Sequence, residues 1–388
     1  MRKWKVFWGV LLVAATLFGQ KAEKQTVVGI AEEFHELPWY EEQARLWKIE
    51  IDQNPKNEEA WMNYYQAKRA ILHKNGGNPH GKSSPAMQVV NEMEEHIPQT
   101  FTFNYCKGNQ LGKDEGWGAY NIKAHEINPE DARVYDNLVV YYEMQGDLAK
   151  RKAINEKWKA KKTYSPGLLS FGYNVLVSLE EKAVVLTTGD NDTYPLWMLQ
   201  DADGIRKDVI VANTYMIKDE SYRNLLFKRM GVNLTLAEQK ALKMDGKSDQ
   251  KDLEYFVRSF VKTVHAKGIP IYAAATTQAQ NDEVLKKNFY NVGLVSKYSE
   301  GSFDQYAFLQ RNLMNRYVWD YLKHDFFNES IPVLVSFAND NYVPGLLVLR
   351  DHFRAGEDQA GVQFCEEILL KIAEKSRMKA LILKYLNE

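Results

Sequence analysis

Apolar residues recur along the first part of the chain at helical spacing. Tyr40, Ala44, Trp47 and Ile51 stand at i, i+4, i+7 and i+11, one stripe of a helix, and Asn54-Pro55 ends it. Trp61, Tyr64, Tyr65, Lys68 and Ile71 continue on a second helix. After Asn128-Pro129 a third periodic segment runs through Tyr135, Leu138 and Tyr142 to the turn Gln145-Gly146-Asp147. Twice an aromatic residue follows a proline by six positions, Pro55 to Trp61 and Pro129 to Tyr135. Between these segments, Gly108, Gly112, Gly116 and Gly118 interrupt a weaker unit from Pro98 to Pro129. The stretch Lys74 to Pro85 has the glycine, proline and serine content of a loop.

This cadence resembles tetratricopeptide repeats, whose helix pairs end in proline and reopen on an aromatic residue six positions later. Ala132 to Pro166 is similar to one complete repeat. It departs at Arg151, which stands where that family carries a small alanine, so looser or shifted helix packing is expected there. About three repeats are expected, the second degenerate. A repeat of this kind cannot bury its apolar face alone, so neighbours stack and leave a concave groove. The resemblance implies that Met62, Gln66, Arg69, Asp136, Val140 and Glu143 face that groove and meet a partner protein.

After Pro166 the pattern changes to short apolar runs separated by helical stretches. Ala183 to Thr187, Val209 to Ala212, Ile269 to Ala274 and a weaker Val292 to Val295 predict strands. Their hydrophobicity is continuous rather than alternating, which fits strands covered on both faces. Leu253, Phe256, Val257, Phe260, Val261 and Val264 form one helical stripe, closed by Gly268 and Pro270. The expected second domain is therefore a doubly wound, Rossmann-like parallel α/β sheet. From Asp304 the chain returns to helices, and Val343 to Glu374, with Gly356-Glu357-Asp358 at its turn, predicts a C-terminal repeat pair.

The N-terminus changes the picture of where the chain works. Arg2, Lys3 and Lys5 precede an apolar run from Val6 to Phe18, then Gly19-Gln20-Lys21, the shape of a secretory signal peptide. That run is shorter than the roughly 20 residues a membrane-spanning helix needs. The expected organisation is a signal peptide at 1–19, a linker at 20–35, helical repeats at 36–165, the α/β domain at 166–300 and a helical segment at 301–388, in the periplasm or cell envelope. No membrane span is expected after cleavage. A formal net charge of -1 without a concentrated basic face excludes a nucleic-acid partner. Two cysteines, Cys106 and Cys365, make no disulfide framework; whether they pair is left open.

The sharpest local feature is Gly189-Asp190-Asn191-Asp192-Thr193, followed by Tyr194-Pro195-Leu196-Trp197, just after the first predicted strand. Ligands of open α/β sheets bind at the carboxyl ends of strands, where this loop falls. Two carboxylates one residue apart suit a divalent cation with oxygen ligands, and Trp197 suits a sugar face. Equally, Asp192 or Thr193 caps the helix that Pro195 opens, with Asp190 and Asn191 as turn residues. No cofactor is expected, with a divalent cation at this loop as the alternative. No zinc spacing, nucleophile elbow or phosphate-cradling loop occurs.

Residues Ala183 to Trp197, with Gln200, Gly204-Ile205-Arg206 and Asp208-Val209 after them, resemble the soluble tail of protein-O-mannosyltransferase-like bacterial membrane proteins. The chain carries none of the membrane helices in which such transferases bind a lipid-linked sugar. The resemblance therefore implies the soluble fold and not the transferase activity. The leading expectation is a non-catalytic exported scaffold or adaptor. The alternative is a glycan-handling accessory of a membrane glycosyltransferase that uses the Gly-Asp-Asn-Asp-Thr loop.

Overall fold

The computed structural model describes residues 23–29, 33–112, 116–242, 250–277, 282–324 and 328–387. The predicted signal segment at 1–19 lies outside the described residues. The chain divides into two compact units, one up to Val134 and one from Tyr135. No helix among the described residues is long and apolar enough to cross a membrane.

The first unit is helical: α1 (Leu37–Gln53), α2 (Glu58–Lys74), α3 (Ala86–His96), α4 (Phe101–Leu111) and α5 (Trp117–Ile127). Neighbours in sequence pack as hairpins. The proline-to-aromatic spacing has a direct cause, because the Trp61 indole donates to the Pro55 carbonyl at 3.0 Å. That bond reaches back around the Asn57 cap, which accepts from Ala60 N at 3.2 Å, and fixes the entry to α2. The segment expected as a linker is partly tied down: the Trp47 indole donates to Gln25 O and the Val27 amide to Asn63 Oδ1. The loop before α3 is held by Gln110, whose amide donates to Pro79 O and Gly81 O.

The second unit opens with the hairpin α6 (Tyr135–Gln145) and α7 (Leu148–Ala160), followed by α8 (Pro166–Ser178). Then come β1 (Val184–Thr187), α9 (Asp190–Asp203), β2 (Ile210–Asn213), α10 (Glu220–Arg229), α11 (Leu236–Ala241), α12 (Gln250–Ala266) and β3 (Ile271–Ala274). The hairpin β4 (Phe289–Asn291) and β5 (Val295–Tyr298) completes the sheet. Helices α13 (Gln305–Gln310), α14 (Asp320–Lys323), α15 (Pro332–Asn339), α16 (Val343–Ala355), α17 (Gln359–Lys375) and α18 (Lys379–Leu386) close the unit.

The sheet order is β2-β1-β3-β5-β4. Strands β2, β1 and β3 are parallel, as the continuous apolar runs predict. The other half corrects the expectation of a parallel sheet, because β5 runs antiparallel to both β3 and β4. The predicted strand at Val292 to Val295 is mostly the turn of that hairpin. Gly293 takes φ 120, a left-handed value open to glycine, while Val292 and Leu294 are fully buried, which is why the turn reads as apolar.

The pairs α6–α7 and α16–α17 turn in the same way. Asp147 N donates to Tyr142 O and Asp358 N to Phe353 O, both at 2.9 Å, and each aspartate caps the next helix through Lys150 N or Gly361 N. The predicted turns at 145–147 and 356–358 are thus one structural device used twice. Buried hydroxyls and amides join α8 to the C-terminal helices: Asn174 Nδ2 donates to Tyr342 Oη at 2.8 Å, and Ser178 Oγ meets Tyr317 Oη at 2.7 Å.

Candidate functional site

The loop after β1 is built by the helix that follows it. Helix α9 begins at Asp190 with Gly189 as its N-cap, so Pro195 lies inside the helix rather than opening it. This corrects the expectation that Asp192 or Thr193 is the N-cap. Proline is tolerated there because the amide it lacks would have met Asn191 O, and Asn191 is exposed to water. Gly172 of α8 lets that turn approach, since a Cβ there would meet Pro195 Cβ at 2.8 Å.

Asp192 turns back into the loop. It is 4% exposed, and its Oδ2 accepts the Thr188 amide at 3.0 Å and the Thr276 hydroxyl. Burial pushes its carboxyl above the usual carboxylate range, against the pull of the Thr276 hydroxyl and the Thr188 and Gly189 amides. Thr193 Oγ1 donates to Gly189 O at 2.6 Å, lies 2.8 Å from Thr187 Oγ1, and receives Asn213 Nδ2 at 3.1 Å.

The carboxyl ends of the three parallel strands meet in hydroxyls. Thr188 Oγ1 lies 3.0 Å from Thr214 Oγ1, after β2, and 2.7 Å from Thr277 Oγ1, after β3. Sequence reasoning missed Thr214, Thr276 and Thr277. The available signal was the repeated ending of the apolar runs in Thr187-Thr188, Asn213-Thr214 and Thr276-Thr277. It also missed Tyr215, which is 56% exposed beside Thr214 and turned by its amide bond to Asn213 Oδ1 at 3.0 Å.

Asp190 and Asn191 are exposed on the outer side of the helix start. Tyr164 Oη donates to Asn191 Oδ1 at 3.3 Å. Burial, then the charge of Asp190, raises both Tyr164 and Tyr194 well above the ordinary phenol value, and Asp136 adds to each. Asp136 of the expected groove therefore shares an electrostatic environment with Asp190 of the expected ligand loop. No group of three or more His, Cys, Asp or Glu side chains gathers as a metal site among the described residues.

Trp197 is 1% exposed, with the Arg151 guanidinium 5.4 Å from its ring centroid. This corrects its assignment as a sugar-stacking surface, because no ring face is open. Arg151 in turn fills the position where the repeat resemblance led to an expectation of loose packing. Its fork donates to both carboxylate oxygens of Asp201 at 2.8 and 2.9 Å, and it pairs with Glu143. Glu143 also accepts from Arg229 at 2.6 Å and from the Tyr222 hydroxyl at 3.3 Å. Two carboxylates and two guanidinium groups balance in a buried network that joins α6, α7, α9 and α10.

Glu143, fully buried, is thus removed from the expected groove. Met62 is 6% exposed and packs in the first unit's core. Gln66 and Arg69 are half-buried on α2, where the Arg69 guanidinium lies 5.5 Å from the Tyr65 ring and 3.2 Å from His80 Nε2. Asp136 and Val140 are half-buried on α6, in the other unit. Cys106 and Cys365 are free, buried thiols; burial raises both, Cys365 to about 12.

Fold and site define a protein of helical hairpins carrying a small mixed sheet, with a hydroxyl-lined switch point that bonds largely to itself. A family model described as TMEM260-associated domain 2 matches residues 168–250, from α8 through β2 to the start of α12. No curated protein matches the chain. Among solved structures, the crystal structure of the yeast Tom70 is similar at 10% identity, covering 90% of this chain and 58% of that one, with a TM-score of 0.28. That likeness is too loose to argue a fold from.

Proposed function

We propose that the chain is an exported, non-catalytic scaffold of the cell envelope, in which helical hairpins hold a partner protein and the α/β sheet is a rigid companion. The observation that carries this reading is the commitment of Asp192: its carboxylate is spent on the Thr188 amide and the Thr276 hydroxyl, which ties the β1 loop to the β3 loop. A carboxylate used in that way stiffens a fold. The helical hairpins of both units then supply the surface for a partner. The test is pull-down of the tagged chain from crosslinked cell envelope. A discrete partner recovered in stoichiometric amount supports the scaffold; a chain recovered alone and monomeric refutes it.

A second reading makes the α/β region a glycan-handling module beside a membrane glycosyltransferase. The match at 168–250 covers the stretch that resembles the mannosyltransferase-like proteins, and the exposed Tyr215 follows Thr214 in the chain. In this reading Tyr215 takes the stacking role that Trp197 is too buried to fill. Calorimetric titration with Mn²⁺, nucleotide sugars and oligosaccharides discriminates, since a scaffold releases no heat with any of them.

A further inference from the structure

At the opposite end of the sheet, where the chain enters β1 and β3, lies a cleft of about 850 Å³ lined by Tyr173, Glu181, Pro270, Arg311, Asn315 and Arg316, among others. The backbone brings its two outer arginines together in an unusual way. Arg311 to Arg316 wind as a π-helix, following directly on α13. In an α-helix, at about 3.6 residues per turn, a five-residue step lands on a different face. In a π-helix, bonded i to i+5, the same step returns close to the starting side, and such segments cluster at functional sites.

Both guanidinium groups reach the end of α8. Arg311 Nη2 donates to Ser178 O at 3.1 Å and Arg316 Nη1 to Val177 O at 2.8 Å, satisfying carbonyls that a helix C-terminus leaves open. Arg311 is further held by Nε, which donates to Asn312 Oδ1 at 3.2 Å, and by the Phe308 ring, 4.2 Å from its guanidinium. Among the described residues, Arg311 Nη1 and Arg316 Nε and Nη2 have no acceptor, and neither arginine is in an ion pair. Glu180, half-buried on the same cleft, pairs with Lys297 and accepts the Tyr272 hydroxyl. Arg206, on the same cleft, is matched by Asp208. Glu181 stands exposed on the rim, and Glu180, the other carboxylate of the lining, lies near enough to Arg311 to favour its charge. Burial and the neighbouring Arg316 both disfavour the Arg311 charge.

We propose that this cleft binds a phosphate monoester, with Arg311 and Arg316 as its two donors and the Tyr173 and Pro270 wall against the esterified group. A monoester is a dianion near neutral pH and offers three acceptor oxygens, which matches the three nitrogens Arg311 Nη1 and Arg316 Nε and Nη2. A carboxylate, with one charge, matches only one of the two guanidinium groups. The site is separate from the switch point and rests on neither reading of it.

The test is calorimetric titration of the full chain with inorganic phosphate and with glucose 6-phosphate, together with sedimentation with phosphatidylcholine vesicles containing phosphatidic acid. The wild-type chain should bind at least one of these probes. Arg316→Gln, an exposed substitution, should weaken binding by roughly tenfold or more, with at most a small drop in melting temperature from the lost bond to Val177 O. Arg311→Lys, which keeps the charge but loses the fork, should also weaken it. Arg45→Gln, on the first unit and 57% exposed, should leave it unchanged. Binding to the soluble probes alone identifies a soluble ester, and binding to vesicles alone a lipid headgroup; either supports the site. Failure of every probe, or an equal loss in Arg45→Gln, overturns it.

Discussion

Asp192 Oδ2 accepts the Thr188 amide at 3.0 Å from the first turn of the helix that follows, and the same oxygen receives the hydroxyl of Thr276 from the end of another strand. One carboxylate thereby fastens two loops of the sheet. Removing it leaves the half-buried Thr188 amide and the Thr276 hydroxyl without this acceptor. Asp192→Ala should therefore cost about 1–3 kcal/mol in urea denaturation. Asp192→Ser should not restore it, because Gly189 is the N-cap and a serine at this position lacks the reach of a carboxylate. Full rescue by serine would show that simple capping is the whole role.

The same group sets a pH dependence. Burial raises the folded carboxyl above its unfolded value near 4, so the folded state binds its proton more tightly. The contribution is fully present below the unfolded value and is lost as pH rises through the higher folded value. The stability difference between the wild type and Asp192→Asn should fall across that window and stay flat above it. A difference that grows with pH there, measured by denaturation at stepped pH, would contradict the burial account.

Arg151 carries a buried network rather than a loose contact. Arg151→Ala leaves Asp201 without its cation and Glu143 with Arg229 alone, and should cost about 3–5 kcal/mol. Pairing Arg151→Ala with Asp201→Ala should cost less than the two separate losses added, because each single change strands its partner. Additive losses would mean that the two side chains act independently.

Trp197 and Tyr215 separate burial from binding. Trp197→Ala should destabilise the fold by about 3–5 kcal/mol, since the ring is 1% exposed. Tyr215→Ala should change stability by no more than about 0.5 kcal/mol, because the ring is 56% exposed. If any oligosaccharide binds, only the Tyr215 change should remove the heat of titration without unfolding the chain.

The regular elements were legible wherever one residue's environment follows from its own neighbours in sequence. The stripe Val257, Phe260, Val261 and Val264 is buried on α12, and the first three apolar runs are the parallel strands. The turn at Val292 to Leu294 misled because its flanking residues are buried by distant parts of the fold, so apolar character no longer marked a strand. Arg151 misled for a related reason: a charge is buried only if its counter-charge arrives, and Asp201 lies fifty positions on. Of the ligand loop, the sequence located the carboxyl end of β1 but not the direction of Asp192. That direction depends on Thr276, a residue on another strand's loop.

The scaffold reading stands or falls on whether another protein occupies the helical hairpins in the cell envelope. The direct measurement is crosslinking of the tagged chain in intact envelope, followed by purification and mass determination of the complex. The expected result is a discrete species heavier than the chain, containing one other protein in fixed ratio. A chain recovered only at its own mass, while oligosaccharide titration releases heat that Tyr215→Ala abolishes, would contradict the scaffold and leave the glycan module in its place.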